Sequence, residues 1–516
     1  MMTDCRYGAI AAGHPLTAEA GLEMLRLGGN AFDAVAAAVL TACVVEPGLT
    51  SLAGGGFLLA HTCDRNVLFD FFTQTPRCKR TETVDFYPVE VNFGDAVQEF
   101  HIGLGAIATP GTIGGIHHVQ QTLGKLPFKT ILEPAIHHAR SGVEVNDFQA
   151  YCFKILGPIL LRDPTLHPVY APNGTLAKGG DRVTMLDLAN TLDHLGTVGV
   201  SDFYQGDMAR QLVNDCQARG GHLTLADLSN YRVIEREPLS VNYRGRTFIT
   251  NPPPSSGGAL IGFALALLDR VDLRSLELGS LEQVSLLAEV MRLTNLARKD
   301  GFDRQIQDSQ VSQRFLSDEH IARYVQQLPE MPVNKWGSTT HISIIDRAGN
   351  AASVTSSNGE GCGYAIPGTG IMMNNMLGEA DLHPNGFQSW TEDVRISSMM
   401  APTMVLQGDR PEIVLGSGGS NRIRSAIFQV ISNCLDFGLS IDAAVQAPRV
   451  HWENGMMNLE PGLPIGDRTQ FPFNEGMTQW ETQNMFFGGV HAVVRDNNGA
   501  LSGVGDRRRG GAIAIE

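Results

Sequence analysis

Thr339-Thr340-His341-Ile342-Ser343-Ile344-Ile345-Asp346 runs directly into Arg347-Ala348-Gly349-Asn350-Ala351-Ala352-Ser353-Val354-Thr355. The stretch reads as two strands about a tight turn. Ile342, Ile344 and the run to Asp346 fill an apolar face, Ala348-Gly349-Asn350 is turn chemistry, and Ala351 to Thr355 resumes a strand. Thr339 opens the hairpin after a polar approach, Lys335-Trp336-Gly337-Ser338. A break of the peptide bond before Thr339 would leave a threonine at a new N-terminus on the end of a strand. Its free α-amine beside its own Oγ is a nucleophile with a built-in base. Taken alone, the octapeptide reads more readily as an ordinary hairpin with surface threonines, so its surroundings decide.

Downstream, Ser356-Ser357-Asn358-Gly359-Glu360-Gly361-Cys362-Gly363-Tyr364 is a loop rich in glycine and hydroxyls, and Gly378 to Arg395 is a polar excursion suited to a lid. Leu415-Gly416-Ser417-Gly418-Gly419-Ser420 leads into a helix expected over 423–437. Glycine N–H groups at such a strand-to-helix junction form a natural anion or oxyanion site. Upstream, Thr17 to Leu27 reads as an amphipathic helix capped by Thr17, followed by an alanine-rich helix over 34–45. Gly54-Gly55-Gly56 precedes strands at 57–61 and 67–72. No lysine and helix follow these glycines as a phosphate-binding loop requires, so a nucleotide site is rejected. Asn251-Pro252-Pro253-Pro254-Ser255-Ser256-Gly257-Gly258 stiffens the entry to an apolar helix over 259–269. Residues 150–245 are expected to be mostly helical, and 299–335 an exposed polar connector.

The chain has 516 residues, which as a prior suggests two to four domains. With 43% hydrophobic and 18% charged residues it has the composition of a globular protein able to bury a large core. A net charge of −15 gives no footprint for nucleic acid or an anionic membrane. Arg507-Arg508-Arg509 is read as a local surface or ion-pair feature. No apolar h-region follows Met1, and the apolar runs at 34–45 and 259–268 are too short to span a bilayer. Eight cysteines without a CxxC pair suit reduced thiols, so a cytoplasmic location is expected. His117-His118 and His137-His138 are adjacent pairs rather than the i, i+4 spacing of metal ligands. No metal or cofactor is expected.

These segments together resemble the γ-glutamyltranspeptidase family (γ-glutamyltransferase, glutathione hydrolase). The resemblance is carried by GGNAFDA at 28–34, AGGGF at 53–57, ATPGT at 108–112, PPPSSGG at 252–258, TTHISIID at 339–346, SSM-x-PT at 397–403 and GSGGS at 416–420. It covers nearly the whole chain. It implies an α+β N-terminal-nucleophile (Ntn) hydrolase, a four-layer αββα sandwich, whose precursor cleaves itself between Ser338 and Thr339. A large subunit 1–338 and a small subunit 339–516 would then stay interlocked as one domain. The resemblance implies Thr339 as nucleophile, Thr355 and Ser357 as the residues that hold it, and the N–H groups of Gly418 and Gly419 as the oxyanion hole. It further implies Ser397 and Ser398 for the donor's α-carboxylate, and Asn358 and Glu379 for its α-amino group. The partners implied are a small γ-glutamyl or related amide and the other piece of the same precursor; a homodimer stays open.

The sequence departs from the family in donor recognition. The family's Asp-Phe-Arg-Glu-x-x-Pro segment appears as Asp70-Phe71-Phe72-Thr73-Gln74-Thr75-Pro76, with Phe72 where an arginine clamps the α-carboxylate. An aromatic ring cannot replace a bidentate guanidinium. Arg77 is the nearest cation in sequence that could stand in. Met376 replaces a polar residue usual after the paired Asn374-Asn375. Three functions follow: a self-processing γ-glutamyl hydrolase or transferase, an acylase of the same chemistry with another amide or cephalosporin-type donor, or an unprocessed scaffold. The intact Thr339, Gly418-Gly419 and Thr355/Ser357 argue against the third.

Overall fold

The computed structural model describes residues 6–92, 97–325, 339–383, 386–453, 455–465 and 476–516. Ser338 and the approach from Lys335 lie outside these residues. The hairpin forms as its alternation requires. Strands Thr340–Asp346 and Ala351–Ser357 pair antiparallel, with His341 opposite Thr355 and Ile344 opposite Ala352. Their other neighbours come from the beginning of the chain. Gly8–Ala12 lies against Thr340–Asp346, and Gly55–His61 against Ala351–Ser357. With Ala512–Ile515 at one edge, and Asn66–Phe71 followed by Ile234–Arg236 toward the other, they complete a seven-stranded antiparallel sheet.

The period of two sorts this sheet's side chains. Ile342, Ile344, Val354 and Leu58 pack into one core with helices Pro15–Arg26 and Ala31–Val45. Ile345, Phe57 and Leu59 enter a second core on the other face. There a six-stranded antiparallel sheet lies opposite, in the order Leu501–Val504, Gly489–Arg495, Arg410–Gly418, Thr403–Gln407, Arg246–Thr250, Leu239–Tyr243. Buried hydroxyls join the sheets: Ser343 Oγ donates to the His491 carbonyl (3.1 Å) and Ser353 Oγ to the Leu415 carbonyl (3.0 Å). Each is satisfied, as a buried polar group must be. Helices Gly257–Leu268 and Arg422–Leu435 cover the second sheet's outer face.

Several local expectations change. Thr17 lies inside the helix Pro15–Arg26, which His14 caps by accepting from the Leu16 N–H. The next helix begins at Ala31, because Asn30 and Asp33 form a capping box. Residues 150–245 end in strands as well as helices. The supposed exposed connector contains helices Val311–Phe315 and Asp318–Val325, with Val311, Phe315, Ile321 and Tyr324 buried. Their i, i+4 and i, i+3 spacing builds an apolar face inside a polar segment. The first sheet takes strands from both ends of the chain and from its middle. Among the described residues no helix is long and apolar enough to cross a membrane.

Asp346 ends the Thr340 strand and binds three groups. It accepts from the Ala31 N–H (3.1 Å), the Asn350 N–H (3.0 Å) and Asn350 Nδ2 (2.8 Å). Asp346→Ala would leave buried donors unmatched and is expected to lower the unfolding free energy by about 2–4 kcal/mol in urea titrations.

Candidate active site

Thr339 sits at the head of the central strand, and the groups around it divide by face. On the helix side, the Thr340 hydroxyl donates to Glu46 Oε2 (2.7 Å), and the Thr17 hydroxyl donates to Glu46 Oε1 (2.9 Å). Glu46 is fully enclosed, and burial pushes its carboxyl up to about 7 despite the two hydroxyl donors. On the sheet side, His341 bridges the Thr355 hydroxyl (Nδ1, 2.8 Å) and the Ser343 hydroxyl (Nε2, 2.9 Å). Burial holds this imidazole well below its usual range, so it is neutral and can donate at one nitrogen and accept at the other. The Thr339 carbonyl accepts from Arg509 Nη1 (3.1 Å), a guanidinium that burial lowers to about 10.

Gly418 passes so close to Thr339 that a Cβ there would overlap the threonine's carbonyl oxygen. Gly419 follows at φ +122°, a backbone region that favours glycine. Ser420 then binds Asp381 through its hydroxyl, tying the turn to the 3₁₀ segment Ala380–Leu382.

A pocket opens at this point. Of the residues expected to form the site, Thr339, Ser357, Glu379 and Ser398 line it together. Gly418 abuts Thr339 from behind, and Thr355 is held by His341 one strand over. Asn358 and Ser397 are not among the lining residues. Asn358 is buried, with its Nδ2 directed to the Met373 carbonyl (3.5 Å). The excursion after Gly378 does form a wall, through Glu379, Asp381 and Leu382.

The remaining glycine- and serine-rich motifs act as struts around this pocket. Gly54 O accepts from the N–H groups of Gly111 (2.8 Å) and Thr112 (3.1 Å), so the AGGGF and ATPGT segments are in direct contact. Asn374 Nδ2 donates to the carbonyls of Ala53 (2.8 Å) and Ala108 (3.0 Å), joining both. Ser255 Oγ donates to the Ser398 carbonyl (2.7 Å), so the PPPSSGG segment carries the loop that brings Ser398 to the pocket.

Phe72 lines the pocket beside Met376 and Met400. Arg77 does not stand in for the missing arginine: it turns outward and pairs with Asp393 (2.8 Å). Arg395 approaches Phe72 only from behind, donating to its carbonyl (2.6 Å) and pairing with Asp70 (3.2 Å). Burial and the neighbouring Glu360 carboxyl hold Glu379 well above the usual carboxylate range.

Two residues beside Thr339 and Thr340 are not among those expected from the sequence. Glu46 looked like the end of an apolar helix. Arg509 was read with Arg507 and Arg508 as a surface or ion-pair feature; Arg508 is an ion-pair residue, to Glu460 and Asp506, but both it and Arg509 are buried. A charged residue inside an otherwise apolar run, and arginines flanked by Gly510-Gly511, were the available signals.

The sequence profile of the family described as Gamma-glutamyltranspeptidase matches residues 17–515. The Acylase ACY 1 proenzyme of Pseudomonas sp. (strain SE83) is 32% identical over 523 residues, covering 98% of this chain and 93% of that protein. The Glutathione hydrolase proenzyme of Bacillus subtilis (strain 168) is 30% identical over 543 residues, covering 98% and 91%. The crystal structure of cephalosporin acylase from Bacillus halodurans aligns with a TM-score of 0.86 at 24% identity, over 100% of this chain and 96% of that one, and so shares its fold. This chain belongs to the gamma-glutamyltranspeptidase family of Ntn hydrolases.

Two outcomes follow from the geometry. Gly418→Ala forces a methyl into the Thr339 carbonyl and, by displacing Thr339, is expected to lower activity about 100-fold with circular dichroism unchanged. Glu46 has a raised folded pKa. Its contribution to stability is therefore full below about 4.5, its ordinary value, and lost as pH rises through about 7. Between pH 4 and 8 the wild type should lose roughly 3 kcal/mol relative to Glu46→Gln. Parallel urea midpoints for the two proteins would refute this.

Proposed function

We propose that this family member is a self-processing enzyme that uses Thr339 to cleave amide bonds, and that its donor departs from glutathione. The observation that carries the reading is the meeting of Thr339, Ser357, Glu379 and Ser398 in one pocket, with Gly418 against the threonine. The helix–sheet–sheet–helix succession of contacts supports the four-layer αββα sandwich. Cleavage between Ser338 and Thr339 would divide the chain into 1–338 and 339–516. The pairing of Thr340–Asp346 with Gly8–Ala12, and of Ala351–Ser357 with Gly55–His61, would keep the pieces joined as one domain.

In the first step the Thr339 hydroxyl attacks the Ser338 carbonyl, and the peptide C–N bond gives way to an ester. Water hydrolyses that ester, leaving a Ser338 carboxylate and a free Thr339 α-amine. In turnover this amine takes the Oγ proton as Oγ bonds to the substrate carbonyl carbon. The proton passes to the leaving amine as the C–N bond breaks. Water or an acceptor amine then takes the acyl group and restores the hydroxyl. Gly418 and Gly419 are assigned to the oxyanion, Thr355 and Ser357 to holding the nucleophile, and Ser398 and Glu379 to the donor. Asn358 and Ser397 remain at its margin.

Phe72, with no arginine in the wall, favours an amide acylase over a glutathione hydrolase; a γ-glutamyl donor is the second reading, supported by Glu379 and Ser398. Free cysteines among the described residues accord with a cytoplasmic protein. Denaturing electrophoresis with intact-mass analysis is expected to give two fragments meeting between Ser338 and Thr339. Thr339→Ala should remain one chain and lose turnover altogether. Cleavage of the same bond in that variant would sink the mechanism.

A further inference from the structure

The charge of the pocket is one-sided. Glu360, Glu379 and Asp381 line it, and none of the lining residues is lysine, arginine or histidine. Glu379 is only 7% exposed, and its carboxyl lies against that of Glu360 in this wall. Neighbouring carboxyls in a buried wall repel one another when both ionise, and a guest cation would relieve that repulsion. The other wall is apolar, formed by Phe72, Met376, Met400 and Ile423. Ser398 adds a neutral hydroxyl, which cannot balance a carboxylate. Two guanidiniums influence the acids from outside the lining, Arg509 on Glu360 and Arg422 on Asp381. Arg509 is committed to the carbonyls of Thr339 and Met485, and Arg422 is fully buried with its Nε directed to the Phe486 carbonyl.

We infer that the pocket takes an acyl group bearing an amine and no carboxylate, with the ammonium at Glu379, Glu360 and Asp381 and the carbon chain against Phe72 and Met376. The inference rests on the amide-cleaving role of Thr339 and narrows its donor. An ammonium would favour the ionised form of Glu379 and offset the charge of Glu360 and Asp381. A carboxylate on the same chain would lose its hydration against Phe72 and the methionines and meet three acids, with no guanidinium to receive it.

Four p-nitroanilides separate the two charges, because they share the three-carbon stem beyond the acyl carbonyl: γ-glutamyl, with amine and carboxylate; 4-aminobutyryl, with the amine alone; glutaryl, with the carboxylate alone; and butyryl, with neither. The release of p-nitroaniline by the self-processed enzyme gives kcat/KM for each. The 4-aminobutyryl amide is expected to exceed butyryl by about 10- to 100-fold, as a charge-assisted hydrogen bond permits. It should exceed γ-glutamyl by a similar factor, and glutaryl should be slowest. Glu379→Gln should bring the 4-aminobutyryl to butyryl ratio toward one. Phe72→Arg should raise glutaryl and γ-glutamyl relative to 4-aminobutyryl. Turnover in which γ-glutamyl or glutaryl leads in the wild type overturns the inference while leaving the nucleophile assignment in place. No turnover of any of the four, by enzyme already cleaved at Thr339, overturns both.

Discussion

A strand whose first residue is a candidate nucleophile must be held along its whole length, and the antiparallel ladder of Thr340–Asp346 does this. Ala351–Ser357 bonds to one edge from Thr340 onward, and Gly8–Ala12 bonds to the other from Ile342 to Asp346. Asp346 anchors the far end to the start of the helix Ala31–Val45, and Arg509 holds the carbonyl of Thr339 at the near end. The position of Thr339 is thereby set by backbone hydrogen bonds rather than by a loop's own preferences. Reactive groups need placement to fractions of an ångström, and a central strand provides it.

The glycines around this strand have a common physical basis. At Gly416 a Cβ would enter the imidazole of His341, at Gly418 the carbonyl of Thr339, and at Gly54 the carbonyl of Ser357. Each marks a place where a second segment crosses nearer than a side chain allows. Their role is steric before it is chemical: they let His341 lie between the sheets and let the strand-to-helix turn reach Thr339. The hydroxyls of Ser343, Ser353 and Thr355 then satisfy the polar atoms that this closeness buries.

Much of this was legible because the determinants are local. The alternation of Ile342 and Ile344 and the Ala348-Gly349-Asn350 turn announce the hairpin, and the resemblance carried by short motifs assembles Thr339, Ser357, Glu379 and Ser398. Contacts of single polar residues over long separations were not legible. Glu46 meets Thr340 across 294 positions, and nothing near Glu46 signals its partner. Arg509 sits in a basic triplet whose burial depends on the whole sandwich of sheets around it. Thr17 is a good cap by type, yet His14 and Pro15 start the helix earlier and free its hydroxyl for Glu46. Arg77 failed as a substitute because a surface acid, Asp393, lies within its reach.

The outermost strand of the seven has a further meaning. Ala512–Ile515 runs beside Gly8–Ala12, and Gly8 and Glu516 exchange backbone hydrogen bonds in both directions (3.1 and 3.2 Å). A short linker could therefore join Glu516 to Tyr7 without disturbing either sheet. A circularly permuted gene built on that junction could open at Thr339 instead. Removal of the initiator methionine would then expose the threonine amine, and the protein would be born with the N-terminus that the proposed self-cleavage would otherwise have to create.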